Sequence, residues 1–249
     1  MEKKNDKVEQ LQELLKFFGV ASIESWEKIW KQNVAFRKSD AYKADPYAIA
    51  SWVRMIELEA QKIDCKPYNK SLFKANLNEI RKLTLEGEPS VFIPKLREIC
   101  ASSGVAVVFL PELPGCRVSG VTKWLSSEKA VIGLSVRYKS NDHLWFTFFH
   151  EAGHILLHGK KLTFLEGVSN ESFKEKEIEA DTFASNILIP ETKYKELKSY
   201  GHYSYEIVKT FAQKIGIAPG IVVGRLQHDG LIPFTHLNKL KQYYKWERR

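Results

Sequence analysis

The segment 146–158, Phe-Thr-Phe-Phe-His-Glu-Ala-Gly-His-Ile-Leu-Leu-His, constrains the fold more than any other part of the chain. His150 and His154 are four residues apart, so a helix would place both imidazoles on one face, where they can bind one metal ion. Glu151 follows the first histidine and can reach a water held at that metal, as in zinc hydrolases. The apolar flanks predict a helix over residues 141–157 that is buried on most sides.

Composition limits the class of protein. The 249 residues, 44% of them hydrophobic, suffice for one large domain or two modest ones. No apolar run reaches membrane-spanning length and the N-terminus lacks an apolar signal core, so we expect a cytoplasmic protein without membrane partners. Cys65, Cys100 and Cys116 are widely spaced and odd in number, which predicts reduced thiols. The net charge of +8 permits a nucleic-acid partner, but the basic residues are spread along the chain, which favours a solvated surface.

The remaining pattern predicts an α+β fold that is mostly helical. Helical spacing dominates the first hundred residues, with capping signals at Ser22 and Asp45. Short β-branched runs predict strands at 105–110, 118–124 and 130–136. A loop at 160–170 precedes helices predicted at 171–188, 191–199, 203–214 and 221–228. We therefore expect a small twisted mixed β-sheet packed on a zincin-like metal helix, in three parts: a helical N-terminal region (1–100), a zincin-like core (101–200) and a C-terminal helical segment (201–249).

The helix after the metal motif offers a third ligand. Its apolar stripe consists of Ala180, Phe183, Ala184, Ile187 and Leu188. Glu177 and Asp181 lie one turn apart on that face, and buried acids are costly unless they are paired or bind a metal. Glu177 is therefore predicted to complete a His-His-Glu site, and Asp181 to accept a hydrogen bond from the outer nitrogen of a ligating imidazole. The alternative is that both are ordinary surface acids. Glu179 points elsewhere and is expected to be solvated.

These two segments together resemble the ImmA/IrrE-type metallopeptidases. The matching residues are Phe146-Thr147-x-x-His150-Glu151-x-Gly153-His154 with Leu156, Leu157 and His158, and Glu177-x-Glu179-Ala180-Asp181-x-Phe183-Ala184 with Leu188-Ile189-Pro190. Segments 109–115 and 145–149 are similar to a branch found beside, or fused behind, helix-turn-helix repressor or antitoxin domains. Family members commonly carry an arginine shortly before the Phe-Thr pair, where this chain has His143 and Trp145. Arg137 is a candidate to replace it.

The resemblance implies a gluzincin-like zinc endopeptidase of bacterial or phage regulation, such as toxin–antitoxin systems or stress responses. It implies that His150, His154 and Glu177 bind Zn²⁺ and that Glu151 is the catalytic acid/base. The first hundred residues do not resemble the fused repressor domain. The substrate is therefore expected to be a separate helix-turn-helix repressor or antitoxin encoded nearby, bound as an extended strand beside a sheet edge.

Three side chains near the motif have less certain roles. Tyr138 and His143 are candidate oxyanion or substrate contacts. His158 is four residues past His154, but it lies about 12 Å along a straight helix from His150. We therefore expect His158 to support the site rather than to bind the metal.

A different class of function is a DNA-binding regulator or antitoxin-like protein with a structural or vestigial metal site. Residues 208–226 have the spacing of a helix-turn-helix. Basic residues lie in or after this segment: Lys209, Lys214, Arg225, Lys239, Lys241, Lys245, Arg248 and Arg249. Packing of this helical pair on the core is the interpretation that we favour, and DNA is the less expected partner. A metal-free interaction protein is a third possibility.

Overall fold

The computed structural model describes residues 6–31, 45–160, 164–165 and 174–245, and it has the predicted α+β architecture. The helices before the sheet are α1 (Lys7–Phe18), α2 (Ile23–Trp26), α3 (Pro46–Gln61), α4 (Lys70–Lys82) and α5 (Pro89–Ala101). A π-helical turn (Glu27–Lys31) follows α2, and a 3₁₀ turn (Leu83–Leu85) follows α4. Both predicted caps are confirmed: Ser22 and Asp45 each accept a hydrogen bond from a backbone N–H in the first turn of the helix that follows.

The sheet has four strands in the order β1-β3-β2-β4. Their bounds are Val105–Phe109 for β1, Gly120–Ser126 for β2, Lys129–Leu134 for β3 and Phe164–Leu165 for β4. β1 is parallel to β3, and β2 is antiparallel to β3 and β4, so the sheet is mixed as predicted. β4 corrects the predicted loop at 160–170. A two-residue strand carries no readable periodicity and forms here by pairing with Val121 and Thr122 of β2.

Five helices follow β3 in the described residues. They are α6 (Asn141–Leu157), α7 (Lys174–Leu188), α8 (Glu191–Ser199), α9 (Tyr205–Ile215) and α10 (Pro219–His228), and a 3₁₀ turn (Asn238–Leu240) comes after them. α6 has the bounds predicted for the metal helix. The predicted start of α7 at residue 171 lies outside the described residues.

Two apolar cores lie on opposite faces of the sheet, because alternate side chains of a strand point to opposite sides. Ala106, Val108 and Val131 belong to the core formed with α3, whose Trp52 is fully buried. Val105, Val107, Ala130 and Ile132 belong to the larger core, which contains α4, α5, α6 and the later helices. Trp145 of α6 is fully buried in this second core. Both tryptophans therefore anchor the cores in which they lie.

Packing crosses the boundaries proposed at residues 100 and 200. α4 and α5 share a core with α6, and Arg81 of α4 donates hydrogen bonds to the carbonyls of Ile187 and Leu188 at the end of α7. These contacts join the N-terminal helices to the helix that carries Glu177. The three-part division itself stays a prediction.

The segment 238–245 folds back over the start of α6. Asn141 N donates to Gln242 O at 2.9 Å, and Tyr244 N donates to Lys139 O at 2.6 Å. Lys241 forms an ion pair with Asp142 at 2.6 Å, and both side chains are more than 90% buried. The N-terminal end of the metal helix is therefore held by residues about 100 positions later in the chain.

Two expectations from composition concern cysteines and membranes. Cys65, Cys100 and Cys116 are free thiols, as predicted.

Within the part of the chain that the structure describes, no single helix has both the length and the hydrophobicity of a membrane span. The α9–α10 pair meets that criterion jointly, by length and composition alone, with a bend of 114° between its helices.

Candidate metal centre

Helix α6 packs closely against α7. A methyl group added at Gly153 would lie 3.3 Å from the Ala180 Cα atom and 3.1 Å from the Phe183 ring, so the glycine permits the short distance between the two helices. On the sheet side, Thr122 Oγ1 of β2 donates to the backbone carbonyl of Glu151 at 2.9 Å. α6 is therefore fixed between the sheet and α7, and its histidines reach the acids of α7.

The three predicted metal ligands converge at this contact. The Nε2 atoms of His150 and His154 are 2.9 Å apart. Glu177 Oε2 lies 3.3 Å from His150 Nε2, and Glu177 Oε1 lies 3.7 Å from His154 Nε2. All three ligand atoms lie within 4.8 Å of one another. Donors around a tetrahedral zinc ion, with bonds of roughly 2.1 Å, are separated by roughly 3.4 Å. The donor types and their spacing therefore fit a divalent metal ion such as zinc.

The protonation states of this group also suit metal binding. Burial disfavours the charged imidazolium of His154 and lowers its pKa to about 4, against a smaller opposing effect from Glu177. Burial alone would raise the pKa of Glu177, but its interactions with the neighbouring His150 and His154 outweigh burial and lower that pKa to about 2. A neutral imidazole and an ionised carboxylate are the forms that bind metals, so both residues are ready to bind at neutral pH.

Asp181 lies behind His150. Its Oδ1 atom is 2.8 Å from His150 Nδ1, where it can fix the tautomer whose Nε2 faces the metal position. The contact agrees with the expectation from the sequence, but the predicted burial is wrong: the side chain of Asp181 is 55% exposed, and that of Glu177 is 23% exposed. Asp181 lies at the edge of the α6–α7 contact, where it reaches His150 from the solvent side.

A second chain of contacts lies behind His154. Its Nδ1 is 2.9 Å from His158 Nδ1, and His158 Nε2 is 2.9 Å from Glu179 Oε2. With His154 Nε2 directed at a metal, Nδ1 carries the proton and donates to His158, which in turn donates from Nε2 to Glu179. His158 thus contacts the candidate ligand His154, and its supporting role stays a prediction. Glu179 was expected to be solvated, and it is 61% exposed, but it also contacts His158.

Glu151 is held against the first residue of β2. Its side chain is fully buried. A methyl group added at Gly120 would lie 2.6 Å from Glu151 Oε1, so only glycine leaves room for this carboxylate. The sequence analysis did not single out Gly120. Its signal was a glycine at a strand end, which often marks the close approach of another group.

Tyr138 and His143 stack with ring centroids 4.3 Å apart near the start of α6. His143 precedes His150 by seven residues, or about 10 Å of helix rise. Burial lowers the pKa of His143, which favours the neutral ring. The guanidinium of Arg137 donates to Arg117 O and lies 3.6 Å from a carboxylate oxygen of Glu112. The roles suggested for Tyr138, His143 and Arg137 at the reacting bond stay predictions.

The bend between the C-terminal helices is compatible with a helix-turn-helix, but α10 has little free surface. α9 and α10 meet at 114°, within the range of about 90–120° for that motif. A recognition helix must offer side chains to the major groove, yet most of α10 is buried: Gly220, Ile221, Val222, Val223, Leu226 and Gln227. Lys241, one of the basic residues noted in the sequence, is paired with Asp142 in the interior. This burial supports packing on the core. Arg248 and Arg249 lie outside the described residues.

The segment that carries these features matches a known protein family. Residues 100–227, just over half of the chain, match the M78 peptidase family, described as the IrrE N-terminal-like domain. The match includes the three candidate ligands and Glu151. A comparison with curated proteins gave no match. Because the match covers more than half of the chain, the protein belongs to the M78 (ImmA/IrrE) peptidase family, whose members have a metallopeptidase-type function.

Proposed function

We propose that the protein is a cytoplasmic zinc endopeptidase of the gluzincin type that cuts a separate regulatory protein. The observation that carries this proposal is the convergence of two imidazoles and one carboxylate, all within 4.8 Å, beside the buried Glu151. His150, His154 and Glu177 would hold the ion, and such a mixed set of nitrogen and oxygen donors is typical of catalytic zinc sites. When bound, zinc supplies a Lewis acid that polarises a peptide carbonyl and activates water.

The side chains of this chain supply the proton transfer. Glu151 follows His150 directly on α6 and is held in place by β2, through Gly120 and the hydrogen bond from Thr122. Its carboxylate accepts a proton from the attacking water and then delivers that proton to the leaving amine nitrogen, which completes hydrolysis of the peptide bond. Asp181 and His158 hold the imidazoles in the required orientation.

The proposed substrate is a helix-turn-helix repressor or antitoxin encoded near this chain. Its support is the resemblance of segments 109–115 and 145–149 to the branch that accompanies such proteins. The partner would bind in an extended form along a sheet edge. β4 is the outermost strand on the β2 side of the sheet, and β2 packs on α6, so we propose this edge for such pairing.

Substitution of Glu151 tests the proposal. Glu151→Gln should retain zinc, measured by metal analysis of the purified protein, and should slow cleavage of the helix-turn-helix partner by about 10²–10⁴-fold. Glu175→Gln, an exposed residue of α7, is the matched control and should cleave like the wild type. Cleavage at the wild-type rate by Glu151→Gln would show that the proposed mechanism is wrong.

The DNA-binding alternative predicts a different result. A titration with duplex DNA at several salt concentrations should give tight, salt-dependent binding if the C-terminal helices contact DNA. We expect no binding even at low salt, because α10 is largely buried.

A further inference from the structure

A cavity of about 160 Å³ lies between α6, α7 and α10, next to the metal centre. Apolar side chains form much of its wall, among them Phe146 of α6, Leu188 of α7, Ile221 of α10 and the exposed Phe234. An apolar cavity of about 150 Å³ can hold a benzene-sized molecule. This cavity therefore has room for the side chain of a leucine or a phenylalanine.

The cavity begins one turn of α6 away from the candidate ligand His150. Phe146 lies one turn before His150 on α6, with ring centroids 6.2 Å apart. Ser185 lies one turn after Asp181 on α7, and Asp181 contacts His150. Along the helix axes, Phe146 thus lies about 6 Å from His150, and Ser185 lies about 12 Å from Glu177. An extended peptide advances about 3.4 Å per residue, so a side chain within two residues of the reacting bond reaches the cavity.

The charged groups of the cavity wall are already paired. Lys241 binds Asp142 at 2.6 Å, and Arg225 Nε donates to Asp229 Oδ2 at 2.9 Å. A charged side chain entering the cavity would lose its hydration without gaining a free partner ion, which is costly. An apolar side chain gains from the same transfer. The wall therefore selects for large apolar groups.

We propose that this cavity receives a large apolar side chain of the peptide substrate, of leucine or phenylalanine size, within two residues of the bond that is cut. The inference rests on the proposed function, because a peptide held at the metal centre is what brings such a side chain to the groove. Ser185, which lines the cavity and is partly buried, is the specificity-determining position on α7.

Ligand binding tests the pocket without requiring activity. 4-Fluorotoluene is titrated into the zinc-loaded, full-length protein and its binding is followed by ¹⁹F NMR. Ser185→Leu places a larger side chain in the cavity and should weaken binding by about tenfold or more. Asn186→Leu adds the same leucine at an exposed neighbour outside the cavity, so it should bind like the wild type. Thermal unfolding and zinc content verify that each variant is folded.

Cleavage specificity tests the role of the pocket in catalysis. A peptide mixture of random sequence is digested and the cut sites are read by mass spectrometry. We expect leucine, phenylalanine or methionine to be enriched within two residues of the cut, and Ser185→Leu to lower kcat/KM for these peptides by about tenfold or more relative to peptides with alanine there.

The two experiments separate the possible failures. The proposed pocket is wrong if Ser185→Leu binds the probe as tightly as the wild type does. It is also wrong if the wild type cleaves peptides without a preference for apolar residues near the cut. A different result would be that Ser185→Leu abolishes probe binding while the wild type cleaves no peptide. This result would count against the proposed function and would still support an apolar pocket at this position.

Discussion

Acidification of the metal-free protein tests how α6 holds its imidazoles. His154 is fully buried, and burial lowers its pKa from 6.5 to about 4. Between these two pH values the unfolded chain binds more protons at this residue than the folded chain does, so the free energy of unfolding falls as the pH falls. Between the two pKa values, the free energy of unfolding falls by about 3 kcal/mol. For a chain of this size, that loss lowers Tm by about 6–12 °C.

The measurement is a series of thermal unfolding curves between pH 7 and pH 4, recorded after removal of metal with a chelator. His154→Gln has no titrating group at this position, so its Tm should fall less than the wild-type Tm over this pH range. The difference between the two decreases should be about 6–12 °C. His202→Gln removes an exposed histidine and should retain the wild-type loss. Equal losses in wild type and His154→Gln would refute the argument that a buried, neutral imidazole is held here.

Three further substitutions test other contacts of the site. Gly120→Ala would put a methyl group 2.6 Å from Glu151 Oε1; cleavage should fall about 100-fold with zinc content unchanged. His158→Phe removes the acceptor behind the His154 imidazole; zinc affinity, measured by chelator competition, should fall about 10–100-fold. Lys241→Met leaves Asp142 buried without its cation; denaturant unfolding should show a loss of about 3–5 kcal/mol, largely restored by adding Asp142→Asn. If a variant gives the wild-type value in its assay, the contact that it removes does not have the role described here.

The metal helix was predictable because its information is local. The spacing of His150 and His154, with apolar residues on every side, suffices to predict a buried helix with two imidazoles on one face. Glu177 was predictable for a similar reason, since an acid on the inward stripe of the next helix needs a partner. The structure brings these three side chains together.

The remaining contacts depend on how elements cross, which no local pattern encodes. Glu179 was expected to be solvated, yet it reaches His158 because α7 packs beside the end of α6. Asp181 was expected to be buried, yet it contacts His150 from the exposed edge of the same crossing. The proximity of Gly120 to the Glu151 carboxylate requires the register of β2 against α6. Such long-range geometry is set by tertiary packing rather than by propensity.

The pairing of Asp142 with Lys241 has a consequence for the order of synthesis. The two residues are 99 positions apart, and segment 238–245 supplies several partners for the start of α6. A nascent chain that has emerged only as far as α7 already contains every candidate ligand, but the first turn of α6 still lacks these contacts. Closing so long a loop is entropically costly and slow. The first turn of α6 therefore gains these contacts only after segment 238–245 has left the ribosome.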